Sequence, residues 1–106
     1  MTSSSFRIKI TEQAEIELDN ILLYISQVFC AKGTANIAYN KIVKGIMQLS
    51  EMPHSAPLLS ELEYAEYGIR KLIIDQYSIF YVINENQKHV DIIHILHGTQ
   101  DYTKKI

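Results

Sequence analysis

A chain of 106 residues, 47% of them apolar, can bury one compact core, since halving it would leave two pieces too small to fold without staples. Its net charge of -2 is uneven, with five basic residues against eight acidic ones through Gly68 and five against four from Ile69 onward; a protein built mainly to hold a polyanionic backbone would carry a clear basic excess. The single cysteine, Cys30, excludes an intramolecular disulfide, residues 1–9 lack the apolar core of a signal peptide, and no apolar run approaches membrane-spanning length, so the expected setting is the cytoplasm with no membrane partner.

Phe6, Ile8 and Ile10 alternate with Arg7 and Lys9, the period of a half-buried strand. Thr11 is a candidate N-cap, and Glu12, Glu15 and Glu17 follow it where acids suit the positive end of a helix dipole. Ala14, Leu18, Ile21, Leu22, Ile25 and Phe29 then recur at helical spacing, with fraying expected from Cys30 to Gly33. A second helix is expected from near Thr34, with Ala35, Ala38, Ile42, Ile46 and Leu49 on one face and Lys41, Lys44 and Gln48 away from it. The short connection predicts an antiparallel helical hairpin. Gly45 lowers helix propensity, and close backbone packing is a motive for it. Pro53 and Pro57 end the helix.

Residues 58–68 read as a loop or a short amphipathic turn, with Glu61, Glu63 and Glu66 as a solvated acidic face. Segments 69–74, 77–83 and 90–97 are rich in β-branched and aromatic residues; Asp75-Gln76 makes a tight turn between the first two, and residues 84–87 a longer one. The expected architecture is α+β, in the order β-α-α-β-β-β: one domain over residues 1–106, with the helical hairpin packed on one face of a small antiparallel sheet and the first strand at a sheet edge.

For most of the polar side chains a structural role competes with a functional one. In a regular strand His94 shares a face with Ile92 and Leu96, and His97 with Ile93 and Ile95, so the two histidines point to opposite sides and need a bulge to work as a pair. A lone histidine on an apolar strand is usually hydrogen-bonded in place. His54 and His89 read as loop and turn residues. Arg70 and Lys71 alternate faces, so at most one can support a shared site. Tyr77, Phe80 and Tyr81 can serve as stacking platforms for bases or fill the core and edge of the sheet. Gly98 suits a tight turn, and Asp101 can cap or salt-bridge the tail. Four dispersed histidines and one cysteine offer no close metal-ligand spacing, and no cofactor motif is present, so neither metal nor cofactor is expected.

Arg70, the strand from Tyr77 to Tyr81, and Leu96-His97-Gly98 with Asp101, in that order, carry a resemblance to the RelE/ParE toxin superfamily and, within it, to the ParE-like branch. It extends over nearly the whole chain, from the strand ending at Thr11 through Ala14, Glu15 and Leu18 to Pro53. Two positions depart from it: His94 stands where ParE-like sequences often have arginine, and Thr99-Gln100 where a basic residue commonly follows the glycine. The resemblance implies the toxin half of a type II toxin-antitoxin pair, neutralised by a cognate antitoxin.

Two targets follow from the resemblance. ParE-like members resemble inhibitors of DNA gyrase that need no catalytic residue, which suits the low basic content and the Leu96-His97-Gly98 ending. RelE-like members resemble metal-free, ribosome-dependent mRNA endonucleases, which need a general base, a charge stabiliser and a proton donor. The groups available for that chemistry are Arg70 or Lys71 for charge, His94 or His97 as acid or base, and Tyr102 as donor. Arg70, His97, Asp101, Tyr102, Lys104 and Lys105 are the candidates for contact with target or antitoxin. A third reading is a non-toxic interaction protein that keeps the fold.

Overall fold

The computed structural model describes residues 5–29, 32–59 and 66–97, the side chains of residues 28, 29 and 32 excepted. Strand β1 (Arg7–Ile10) leads into helix α1 (Glu12–Phe29) and helix α2 (Lys32–Gln48), followed by strands β2 (Ile69–Ile74), β3 (Tyr77–Asn84) and β4 (His89–His97). The expected order of elements is found, with small differences at the ends. Helix α2 begins at Lys32 rather than near Thr34, so Gly33 lies in its first turn; Cys30, where fraying was expected, lies outside the described residues. His89, expected in a turn, opens β4.

The four strands lie in the order β1-β4-β3-β2. The last three form the expected antiparallel meander, and β1 takes an edge, but it runs parallel to β4, with Arg7 opposite His89 and Ile10 opposite Ile92. The sheet is therefore mixed. Only strands joined by tight turns are bound to run antiparallel; β1 reaches β4 after two helices and the rest of the sheet, which leaves either direction open.

Thr11 caps α1 as its side chain allows: Oγ1 accepts the Ala14 N–H at 3.2 Å, and the Glu15 N–H bonds to the Thr11 carbonyl at 3.0 Å. The hairpin packs on one sheet face, where Ala14, Leu18, Ile42, Ile46 and Leu49 meet Ile79, Tyr81, Val90, Ile92 and Ile95. A smaller apolar group of Leu59, Ile69, Phe80 and Leu96 occupies the opposite face. Burial of each large aliphatic side chain contributes about 1.5–3 kcal/mol, whereas the exposed pair of Lys41 and Asp75, 3.2 Å apart, contributes about 0–1 kcal/mol. Apolar packing therefore holds α2 to the sheet. Among the described residues no helix is long and apolar enough to cross a membrane.

Among the described residues two non-glycine turn residues have positive φ. Asp75, at 53°, belongs to a residue type that tolerates this region; Lys88, at 57°, bears a strain of about 1–2 kcal/mol. Lys88 is held there by its carbonyl, which accepts the Arg7 N–H at 2.9 Å, and by its ammonium 5.1 Å from the centre of the Phe6 ring.

Gly45 sits where α2 crosses β2, and a methyl group there would overlap the end of Ile74. Gly33 faces open space. In urea unfolding, Gly45→Val is expected to cost about 1–3 kcal/mol by prising α2 from β2, whereas Gly33→Ala should be neutral or gain up to about 1 kcal/mol. Equal effects from the two would contradict the close approach.

Candidate functional site

The edge of β4 changes partner halfway along. As far as Ile92 it pairs with β1; there the chain turns into α1, with the Thr11 N–H (3.1 Å) and Oγ1 (2.9 Å) both donating to the Ile92 carbonyl. Beyond that point α1 supplies the partner. Glu17, one and a half turns into the helix, lays its carboxylate along the strand edge. Oε1 accepts the Ile95 N–H at 3.0 Å, Oε2 lies 3.0 Å from His94 Nδ1, and Gln13 Nε2 donates to Oε2 at 3.2 Å. The Glu17 and His94 side chains are 10% and 15% exposed, so this is a nearly dry charge-assisted network. The sequence reading assigned Glu17 to the helix dipole. The signal that finds its actual place is its spacing, three residues after Ala14 and four before Ile21, on the border of the buried stripe.

The same stretch of β4 carries a bulge. Phe80 pairs with His94 but Tyr81 with Ile92, leaving Ile93 without an opposite number. The expected face assignments change accordingly. Ile92 belongs to the helix-side core and Leu96 to the opposite group, so no single face holds Ile92, His94 and Leu96. Likewise Ile95 is on the helix side and Ile93 on the other.

A second clasp fixes the segment after α2. Arg70 Nη1 donates to the Ala56 carbonyl at 2.7 Å, and the buried Tyr81 hydroxyl donates to the Pro53 carbonyl at 2.7 Å. Leu58 bridges Arg70, and the Leu59 N–H bonds to the Ile69 carbonyl at 2.9 Å. Burial pushes the Tyr81 phenol above its ordinary value near 10; the Ala56 backbone hydrogen bond and the Arg70 charge oppose the shift. Phe80 and Tyr81 are fully buried, which makes them core residues rather than stacking platforms.

His97 ends β4 beside the 75–76 turn, its Nε2 3.3 Å from Gln76 Oε1 and its ring edge-on to Tyr77 at 5.8 Å. Burial, and then the charge of Asp75, raise the Tyr77 phenol. The register separates His97 from Arg70. His97 aligns through Tyr77 with Ile74, and Arg70 lies four residues before Ile74, about 13 Å along the strand at ~3.3 Å per residue. Arg70, His94 and His97 thus occupy three separate places: the clasp, the edge network and the rim. Lys71 points to the face opposite Arg70, as alternation required, opposite Phe80 in the ladder. Asp101, Tyr102, Lys104 and Lys105 lie outside the described residues, as does Gly98. Among the described residues no three His, Cys, Asp or Glu side chains gather closely enough to hold a metal ion.

A two-helix hairpin on a small mixed sheet of this connectivity is the fold of the RelE/ParE superfamily. The chain superposes on a structure of the chromosomal ParDE toxin-antitoxin system of P. aeruginosa with a TM-score of 0.72 at 23% identity, covering 90% of this chain and 98% of that one. The RelBE2 toxin-antitoxin complex of Mycobacterium tuberculosis gives 0.62 at 16% identity, covering 88% and 91%. At these identities the likeness is one of fold. A comparison with curated proteins finds no match. The family model described as ParE toxin of the type II toxin-antitoxin system, parDE, matches residues 8–102, and the chain belongs to that family, the toxin component of such a system.

Both clasps can be tested by unfolding. Glu17→Ala leaves the Ile95 N–H and His94 without their acceptor and is expected to cost about 2–4 kcal/mol; Glu17→Gln, which keeps an oxygen for Ile95, should cost about 1 kcal/mol. A loss under about 0.5 kcal/mol for the alanine variant would refute the edge network.

Tyr81 ties stability to pH at the alkaline end. The fold holds the neutral phenol, so between the ordinary value near 10 and the raised folded value the unfolded chain gives up its proton first. Stability is therefore full below pH 10 and falls as the pH climbs beyond it. Tyr81→Phe should flatten that fall, leaving the share due to Tyr77, in urea midpoints measured from pH 8 to 11.

Proposed function

We propose that this toxin acts as a gyrase-type inhibitor, binding its target through a shaped surface rather than cutting a substrate, and that a cognate antitoxin segment neutralises it by folding over exposed apolar side chains of the helical hairpin such as Ile16, Leu23, Tyr24 and Ile37. The observation that supports this reading is the commitment of the candidate catalytic groups. Arg70 is bonded to the Ala56 carbonyl and His94 to Glu17, and each is held at its own place in the fold. Cleavage of RNA without a metal asks for a base, an acid and a charge stabiliser converging within hydrogen-bond reach of one phosphate. Two of the five residues the sequence offers for that role are held in separate internal bonds, and His97 is separated from Arg70 by four positions of register. Inhibition by binding needs no such convergence. The near-balanced charge supports the same reading, since a protein that only docks needs less positive potential than one that must hold RNA.

The purified protein is expected to inhibit gyrase supercoiling with accumulation of cleaved DNA, to leave ribosome-bound mRNA intact, and to arrest growth when expressed without its antitoxin. His97→Ala and Tyr102→Phe should then leave inhibition within about threefold of the parent protein, a loss of less than about 1 kcal/mol. Ribosome-dependent mRNA cleavage abolished by those two substitutions would replace this reading with the endonuclease one. Absence of growth arrest together with absence of both activities would point to an inert interaction protein.

A further inference from the structure

We propose that the outer edge of β1 accepts an extended acidic segment of another protein as an added strand. This goes beyond the choice of target and does not depend on it.

The parallel ladder decides which backbone groups are available. The Arg7 N–H bonds to the Lys88 carbonyl and the Thr11 N–H to the Ile92 carbonyl, so odd-numbered residues of this segment turn their backbone groups toward β4 and even-numbered ones turn them outward. The first outward pair is used. Phe6 donates to the Ser50 carbonyl at 2.7 Å, and the Ser50 hydroxyl donates to the Phe6 carbonyl at 2.8 Å. Among the described residues the outward N–H and C=O groups of Ile8 and Ile10 have no partner in the fold. Ser50 thus completes the first rung of a ladder that stops for want of a strand, and an incoming segment would begin where Ser50 leaves off.

The side chains specify what kind of segment fits. Ile8 packs against the helix-side core, so Arg7 and Lys9 project from the opposite face. Both are exposed, and among the described residues neither forms an ion pair. Asp91 is opposite Lys9 in the register, but its Oδ1 lies 3.1 Å from His89 Nδ1. A strand laid against β1 meets these two cations two residues apart, and acidic side chains at alternate positions would pair with both.

Charges on an edge strand commonly guard against pairing with like strands, and here they set the choice of occupant. A second copy pairing antiparallel through β1 would bring Arg7 and Lys9 against their own counterparts, which like-charge repulsion opposes. A nucleic acid would find two cations on one short edge of a chain with net charge -2, and it could not use the outward backbone groups as a ladder. An acidic β-strand uses the free rungs and the charges together.

The test uses the intact chain, isotope-labelled, and two synthetic nine-residue peptides, one alternating glutamate and valine and the other lysine and valine. The glutamate peptide is expected to shift the Ile8 and Ile10 amide resonances and slow their hydrogen exchange, while the lysine peptide does neither. Arg7→Glu combined with Lys9→Glu should weaken the glutamate peptide by about tenfold or more and admit the lysine peptide. Both residues are exposed, so the fold should persist, which circular dichroism checks. N-methylation of alternate peptide nitrogens should abolish binding. The proposal is overturned if the two peptides act alike on the parent protein. It is equally overturned if the shifts fall away from β1, if a DNA duplex perturbs the same amides more strongly, or if Ile8 and Ile10 become protected on self-association alone.

Discussion

Much of this fold depends on how the free edge of β4 is satisfied after β1 ends. A strand edge that is nearly dry cannot leave N–H groups unpaired without a penalty of about 1–3 kcal/mol each, and water has little access beneath α1. The carboxylate of Glu17 stands in for the missing strand. It binds one backbone N–H and one ring nitrogen at 3.0 Å each, and Gln13 donates to it from the helix side. Apolar packing alone could let α1 slide along the sheet, because burial is non-directional. Hydrogen bonds that one carboxylate accepts from two consecutive residues of β4 set the position of the helix along the strand.

The bulge at Ile93 belongs to the same arrangement. Without an extra residue, strict alternation would carry the side chains of β4 through the position where its edge passes from β1 to Glu17 with no change of phase. The inserted residue shifts the phase, so that Ile92 and Ile95 both face the helices while Ile93 and Leu96 pack on the other side. Two apolar clusters are thereby fed from one strand, and His94 is left at the edge where a carboxylate can meet it. The clasp of Arg70 and Tyr81 does comparable work at the other sheet margin. It ties residues 53–59 across the end of α2 to the start of β2, with two bonds of 2.7 Å to consecutive parts of a loop that has little helix or strand of its own.

The sequence made the periodic parts legible. The stripe of Ala14, Leu18 and Ile25, the second stripe of Ala35, Ile42, Ile46 and Leu49, and the meander from residue 69 all found their elements and faces, because hydrophobic period responds to burial directly. Gly45 was legible as a close approach, and Thr11 as a cap. What escaped notice was set by contacts distant in sequence. A bulge has no local signature in the run from Val90 to His97, and the spacing of Glu17 marks the border of the stripe but not the partner 78 residues away. The parallel direction of β1 was likewise invisible, since only short connections constrain direction. Of the candidate site, the placement of Arg70, His94 and His97 on strands was foreseen; that the first two are tied to Ala56 and Glu17 was not.

These attachments bear on how one fold could host two modes of action. Holding Arg70 and His94 in internal bonds stabilises the sheet margins and fixes the two side chains at separate places in the sheet. His97 is differently placed. It sits at the rim, half-buried against Tyr77 and Gln76, and belongs to neither clasp. Reactive convergence around it would need groups contributed by residues beyond it in the chain, where Tyr102, Lys104 and Lys105 supply a phenol and two cations. A surface that inhibits by docking has no such need, because separated contacts contribute to affinity without meeting at one atom. On this fold the clasped residues fix the sheet margins, and His97 stands apart from them at the rim.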